Sequence, residues 1–243
     1  MKKYEKINAE DLHYLEASDL HPANTYFHFS FANYYDPKNM SFGVLRVIND
    51  DDVKPGSGFS THPHNNMEIF SYVIDGKLTH RDSAGNYEVL GRGNVQCISA
   101  GTGVTHSELN EQVDWCRFLQ IWITPDSKDL AVRYDFHKYS FSERKNKLLQ
   151  IMSSSKHKDR APLYIHQDIN AYVSELTEKD ANISYVLDED RQAYVYCFEG
   201  IINIDQLPSL GERDSLKIYG NTDLDIKLAS ENAHFIIIEL PQE

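Results

Sequence analysis

The first half of the chain is a succession of short apolar or alternating runs, each stopped by a turn signal. Residues 41–51 predict a strand ending in a turn, and the Pro/Gly-rich residues 53–58 predict a loop before a strand that carries His62 and His64. Residues 67–74 are rich in aromatic and β-branched side chains, and Asp75-Gly76 is a hairpin signal returning the chain through residues 77–81. Residues 82–86 and 91–93 read as turns, and residues 95–99 as a further short strand. Residues 117–124 alternate and then run apolar until Pro125-Asp126 stops them. Strands about 8–12 residues apart with glycine turns predict a β-sandwich or barrel.

Residues 126–161 are more polar, and the connection between two domains falls near their start, giving domains of residues 1–135 and 136–243. Residues 141–152 show no clean helical stripe, so a turn followed by a strand at residues 148–152 is expected. Further strands are expected at residues 163–166, 169–176, 193–198, 201–204 and 234–240. Ile69-Phe-Ser-Tyr-Val-Ile-Asp-Gly76 is echoed by Ala193-Tyr-Val-Tyr-Cys-Phe-Glu-Gly200, an offset of 124 residues (193 minus 69). One architecture used twice is the implication.

Composition mainly excludes. The 15 Tyr and 11 Phe favour β structure. A net charge of −13 argues against a nucleic-acid surface, because phosphate binding needs clustered Lys and Arg. Cys97, Cys116 and Cys197 form no C-x-x-C pair, and the N-terminal Met-Lys-Lys-Tyr-Glu-Lys-Ile-Asn lacks the apolar core of a secretory signal. A reducing cytosol is therefore expected. No apolar stretch approaches the roughly 20 residues that span a bilayer. The expectation is a cytoplasmic monomer with neither a membrane nor a nucleic-acid partner.

The candidate chemistry lies in two doublets, His62-Pro63-His64 and His106-Ser107-Glu108. Spacing of i, i+2 puts both members on one face of a strand. Together they offer three imidazoles and a carboxylate, a set that suits Fe(II), Mn(II), Ni(II), Cu(II) or Zn(II) and leaves positions open. Glu68 is a second candidate carboxylate, and spacing permits either it or Glu108. At the offset of 124 the doublets fall on Val186, Asp188, Ser230 and Asn232, so metal chemistry is expected only in the first half. Single histidines are commonly structural; His80, His137, His157, His166 and His234 lack a partner at ligand spacing and are read so. Cys97 reads as a buried inert thiol, and Gly101-Thr-Gly103 as a turn rather than a phosphate loop. The aromatic cluster Phe27, Phe29, Phe31, Tyr34, Tyr35, Met40 and Phe42 reads as core, with one or two members at the mouth of a metal pocket.

Written as Gly56-x5-His62-x-His64-x3-Glu68-x7-Gly76 and Gly101-x-Gly103-x2-His106-x3-Asn110, these segments resemble the two consensus motifs of the cupin superfamily. They depart by an extra residue before Gly76 and by Gly101 where cupins usually carry Pro. Those departures resemble the pirin family, as do Thr61-His-Pro-His64, Ser99-Ala-Gly-Thr-Gly-Val-Thr-His-Ser-Glu108 and Arg46-Val-Ile-Asn-Asp-Asp51. Ser30 to Phe42 and Leu119 to Pro125 add to the likeness, which covers roughly residues 20–126 and is diffuse beyond.

The resemblance implies an all-β bicupin: two jelly-roll β-barrels with few short helices, the N-terminal one binding metal and the C-terminal one without metal ligands. The family's ligands fall on His62, His64, His106 and Glu108, and Glu68 is not a ligand there. The expected cofactor is one divalent transition metal, Fe(II) first, with Mn, Ni, Cu, Co or Zn as alternatives. Glu108 is also the candidate catalytic base. The implied activity is that of a quercetin 2,3-dioxygenase, opening a flavonol with O2 and releasing carbon monoxide, so the expected partners are a small aromatic substrate and O2. Two other implications are a metal- or redox-sensing regulatory protein, as in animal pirins, and a metal enzyme acting on another small molecule.

Overall fold

The computed structural model describes residues 4–242, so the first three residues of the segment read for a leader lie outside the described chain. Strands dominate; among the described residues the helical elements are single turns at Ala9–Asp11, Phe141–Arg144 and Ser155–His157. No described helix is long and apolar enough to cross a membrane. Two compact units form. One is His13–Tyr139 with Leu163–Gln167; the other takes the residues up to Leu12, Ser140–Pro162 and the residues from Asp168 onward. A simple cut near residue 135 therefore misses two segments. The strand Tyr4–Ile7 pairs antiparallel with Ser215–Tyr219, and Lys6 bridges Asp214 at 2.8 Å, so the start of the chain covers an edge of the later unit.

The unit built on His13–Tyr139 has two antiparallel sheets. The larger is ordered Arg133–Lys138, Asn94–Ser99, Glu68–Asp75, Cys116–Ile123, Leu45–Val53, Ala23–Phe27, His13–Leu15. The smaller is ordered Ser57–His64, Val104–Asn110, Lys77–Asp82, Tyr87–Gly91. The chain passes repeatedly between them, the jelly-roll solution to burying one face of each sheet. Val53, Val73, Cys116 and Phe118 of the larger sheet and Leu78 and Leu90 of the smaller share one buried cluster. Each such side chain contributes roughly 1.5–3 kcal/mol on burial. Asp75-Gly76 makes the expected hairpin: Gly76 has φ +74°, and a Cβ there would meet the Trp115 carbonyl oxygen at 2.6 Å.

In the other unit two long strands, Arg191–Ile204 and Thr222–Pro241, pair with each other in both halves of their length. The expected strands at residues 193–198 and 201–204 are one strand, bent by bulges between Cys197 and Glu199 and between Gly200 and Ile202. The last strand starts at Thr222 rather than near residue 234, and the alternation Leu224, Ile226, Leu228 is its sequence signature. Ala193, Val195, Leu216, Ile218, Phe235 and Ile237 form this unit's core. The expected turn after Tyr139 is a single helical turn, Phe141–Arg144, with a capping box between Ser140 and Glu143, and the strand Leu149–Ser154 follows it.

Candidate metal centre

His62 and His64 stand at the end of Ser57–His64, an edge strand, where Pro63 costs no ladder hydrogen bond. Its neighbour Val104–Asn110 sets His106 directly opposite His62. The ligating atoms of His62, His64 and His106 all lie within 4.8 Å of one another, and the Nε2 atoms of His64 and His106 are 2.9 Å apart. His62 Nδ1 donates to the Ser60 carbonyl at 2.7 Å, which leaves its Nε2 lone pair free. Burial lowers the pKa of His64 to about 4 and of His106 to about 2, with neighbouring histidines adding to it, so both rings are neutral near pH 7. His106 Nδ1 is buried with no hydrogen-bond partner among the described residues. Nitrogens about 2.1 Å from one ion and at right angles are about 3 Å apart, so three neutral imidazoles in this arrangement fit a divalent transition metal.

Glu108 follows His106 on the same strand. Pairing with Lys77–Asp82 is regular, His106 opposite Asp82 and Glu108 opposite His80, so both face the interior. A bulge affects only the pairing with Ser57–His64. Gly58 permits that close approach, since a Cβ there would meet the Glu108 carbonyl oxygen at 2.4 Å. The Glu108 carboxylate lies outside the mutual histidine group. It is instead held by a row of polar side chains running across three neighbouring strands, where Ser71 pairs with both Gln96 and Gln120. Oε1 accepts from Ser71 Oγ at 2.9 Å and Gln96 Nε2 at 2.7 Å, and Oε2 accepts from Gln120 Nε2. Burial pushes Glu108 up to about 7 against the pull of those three donors.

Glu68, the alternative carboxylate, lies on the opposite face of its strand from Ser71. Its Oε2 accepts from Ser99 Oγ at 2.9 Å and from the His166 amide at 3.0 Å. His80 is buried beside the cluster, 5.5 Å from His106 between ring centroids, bonded to Asp82 at 3.0 Å and stacked on Tyr134. Cys97 is buried with its thiol pushed up to about 12 by burial, an unreactive group as expected.

A cavity of about 730 Å³ opens onto His62 and His64. Phe27, Phe31, Tyr34 and Trp122 give it an aromatic wall, and Trp122 stands edge-on to His64 with centroids 4.8 Å apart. Asn49 and Asp51 line it as well. Burial raises Asp51 to about 8, opposed by a hydrogen bond from Thr25. Ser71, Gln96, Gln120 and Asp51 were not singled out by the sequence pattern. For Ser71, Gln96 and Gln120 the signal is a polar residue in a largely apolar strand, which must find a partner inside; Asp51 sits in the polar run Asn49-Asp-Asp-Asp52, where nothing local marks it out.

A tandem of two β-barrel units with a histidine cluster inside the first defines a bicupin. A family model described as pirin matches residues 12–123, and one described as a quercetinase C-terminal cupin domain matches residues 151–240. The chain belongs to the pirin family. A pirin-like protein of Caulobacter vibrioides is 34% identical over 238 residues, covering 98% of this chain and 97% of the relative. A quercetin 2,3-dioxygenase of Escherichia coli K12 is 36% identical over 214 residues, covering 88% and 89%. The crystal structure of the bacterial pirin YhhW from Escherichia coli in complex with nickel(II) matches at TM-score 0.88 and 30% identity, covering 99% of this chain and all of that one (100%).

Proposed function

We propose that this pirin is a metal-dependent dioxygenase that opens a flavonol such as quercetin with O2 and releases carbon monoxide. The observation that carries this reading is a tri-histidine cluster two of whose members, His62 and His64, line an aromatic cavity of about 730 Å³, a volume that holds a planar molecule of flavonol size. His62, His64 and His106 hold one divalent metal, Fe(II) in this proposal, within the N-terminal domain; among the described residues the C-terminal domain has no such histidine group. The metal supplies Lewis acidity that makes a substrate hydroxyl more acidic. Phe27, Phe31 and Trp122 pack against the flat rings and exclude water. Glu108, with a pKa near 7, completes the ligand set or accepts a proton, two roles that exclude each other at any one moment. Buried free thiols at Cys97, Cys116 and Cys197 suit the reducing cytosol in which a monomer would act.

Protein reconstituted separately with Fe, Mn, Ni, Cu and Co tests this. Quercetin absorbance and carbon monoxide are followed with and without O2. Loss of absorbance that needs O2 and is matched by carbon monoxide supports the reading; no turnover in any of the five forms removes it. Elemental analysis of protein purified without added metal decides the ion.

A further inference from the structure

The cavity has a second polar face that the histidine cluster does not use. Asn49 and Asp51 are two residues apart on Leu45–Val53 and share its interior face, opposite Phe27 and Thr25 on the next strand. Asn49 is 4% exposed, and its Oδ1 has no hydrogen-bond partner among the described residues. Asp51 is 2% exposed, and its Oδ1 accepts the Thr25 hydroxyl at 2.5 Å. Thr25 Oγ1 lies 2.8 Å from His21 Nε2. His21 is half-buried and lines both this cavity and the adjoining open groove beside Lys54 and Ser57. A continuous hydrogen-bonded chain therefore runs from the cavity wall to the surface. Its middle member is a hydroxyl, which donates and accepts at once. A buried carboxyl served by one hydroxyl is a poor choice for stability alone, since burying an ionisable group costs several kcal/mol. Asp50, Asp52 and Glu108 are the charged groups around Asp51, and all three favour its neutral form.

We propose that Asp51 takes the proton of an acidic hydroxyl on the cavity's ligand and that Thr25 and His21 pass a proton on to solvent. With Asp51 neutral the recorded Thr25-to-Asp51 hydrogen bond reverses: Oδ1–H donates to Thr25 Oγ1, and the Thr25 hydroxyl turns to donate to His21 Nε2 in its Nδ1–H tautomer. The ligand O–H bond breaks and its proton goes to Oδ2 of Asp51. In concert the Oδ1 proton moves to Thr25 Oγ1, and the Thr25 hydroxyl proton moves to His21 Nε2. The ligand is left as an anion, Asp51 remains neutral with its proton on the other oxygen, and His21 releases its Nδ1 proton to water. No electrons are exchanged. Rotation of the carboxyl and of the Thr25 hydroxyl, with exchange of the His21 ring proton from Nε2 back to Nδ1 through water, resets the chain. Asp51 is thus a catalytic residue, and Thr25 and His21 act through it. The inference deepens the proposed function and rests on the cavity being the substrate site.

The test adds quercetin anaerobically to metal-loaded wild type, Asp51→Asn, Thr25→Val and Thr25→Ser. Binding is read from quenching of tryptophan emission, metal by elemental analysis, and ionisation by the long-wavelength band of the flavonol anion. Asp51→Asn and Thr25→Val are expected to bind quercetin and retain metal but form the anion at least about tenfold more slowly. Thr25→Ser is expected to restore the wild-type rate. Thr25→Val keeps the side-chain shape, so it reports even where Asp51→Asn fails to fold. Equal rates of anion formation in wild type and in either blocked variant overturn the proton chain, whatever the turnover. Asp51-dependent anion formation without O2-dependent turnover upholds the chain and removes the dioxygenase reading. A wild type that binds no quercetin, or binds it without ionising it, overturns the chain.

Discussion

His64 and His106 meet nitrogen to nitrogen, their Nε2 atoms 2.9 Å apart although 42 residues separate them in sequence. Both rings are neutral, and two lone pairs at that distance are at rest only with a proton or a cation between them. Removing either ring should therefore act on metal binding before it acts on the fold. His106→Ala is expected to lose metal on purification. Adding metal at about a thousand times its Kd should stabilise wild type by about 4 kcal/mol and leave the variant unmoved. Thermal denaturation with and without added metal checks it, and a metal-dependent rise in Tm that survives in His106→Ala removes the histidine from the site.

Glu108 owes its pKa near 7 to burial pulling up and to Ser71, Gln120 and Gln96 pulling down. Gln120→Leu removes one donor from Oε2, so the carboxyl should rise further. A hydrogen bond to a charged group is worth about 1.5–3 kcal/mol, or roughly one to two pKa units. If ionised Glu108 is the active form, the acid limb of kcat/KM should move to higher pH by about that amount. Ser71→Ala should move it in the same direction. A profile that stays in place shows that Glu108 does not limit the reaction.

Much of this was legible in the sequence because it depends on local rules. The i, i+2 spacing of His62 and His64 puts both on one strand face, and Asp75-Gly76 closes its hairpin. The partner at His106 was legible only as a pattern, since the pairing that sets it opposite His62 is long-range. The polar row Ser71, Gln96 and Gln120 was not legible. Its members are cross-strand neighbours drawn from three strands, and nothing local ties them to Glu108. Strand parity alone also left Glu68 open; the turn between His64 and Glu68 lets the next strand start on the other face, towards Ser99 and His166. In the later unit Leu224, Ile226 and Leu228 do alternate, and acidic neighbours obscured that strand.

Gly58 has a structural role that a side chain would reveal. Its φ is +150°, and an added Cβ would sit 2.4 Å from the Glu108 carbonyl oxygen and 2.6 Å from Leu109 Cα, both backbone atoms that cannot swing away. Gly58→Ala must therefore push Ser57–His64 off Val104–Asn110, disturbing the bulge that sets His62 against His106. A loss of about 1–3 kcal/mol is expected from strain of this kind, with weaker metal retention. Urea unfolding and elemental analysis check both parts. A variant as stable as wild type would show that the two strands separate at little cost.

Asp51 offers a test that needs neither substrate nor metal. Burial raises its pKa from 3.8 to about 8, so between those values the folded protein keeps a proton that the unfolded chain releases. Its contribution to stability is full below pH 3.8 and is lost as pH rises towards 8, at up to about 1.4 kcal/mol per pH unit. Asp51→Asn has no such proton and lacks this slope. The stability difference between variant and wild type should therefore move steadily in the variant's favour from pH 4 to pH 8. His64 and His106, lowered, impose slopes that both proteins share and the difference cancels; the slope of Glu108, raised like Asp51, cancels apart from its charge coupling to Asp51. Urea midpoints of the metal-free proteins at several pH values measure that difference. A flat difference would mean that Asp51 is ionised inside the barrel at neutral pH, and a carboxylate with no proton on Oδ1 has none to pass to Thr25.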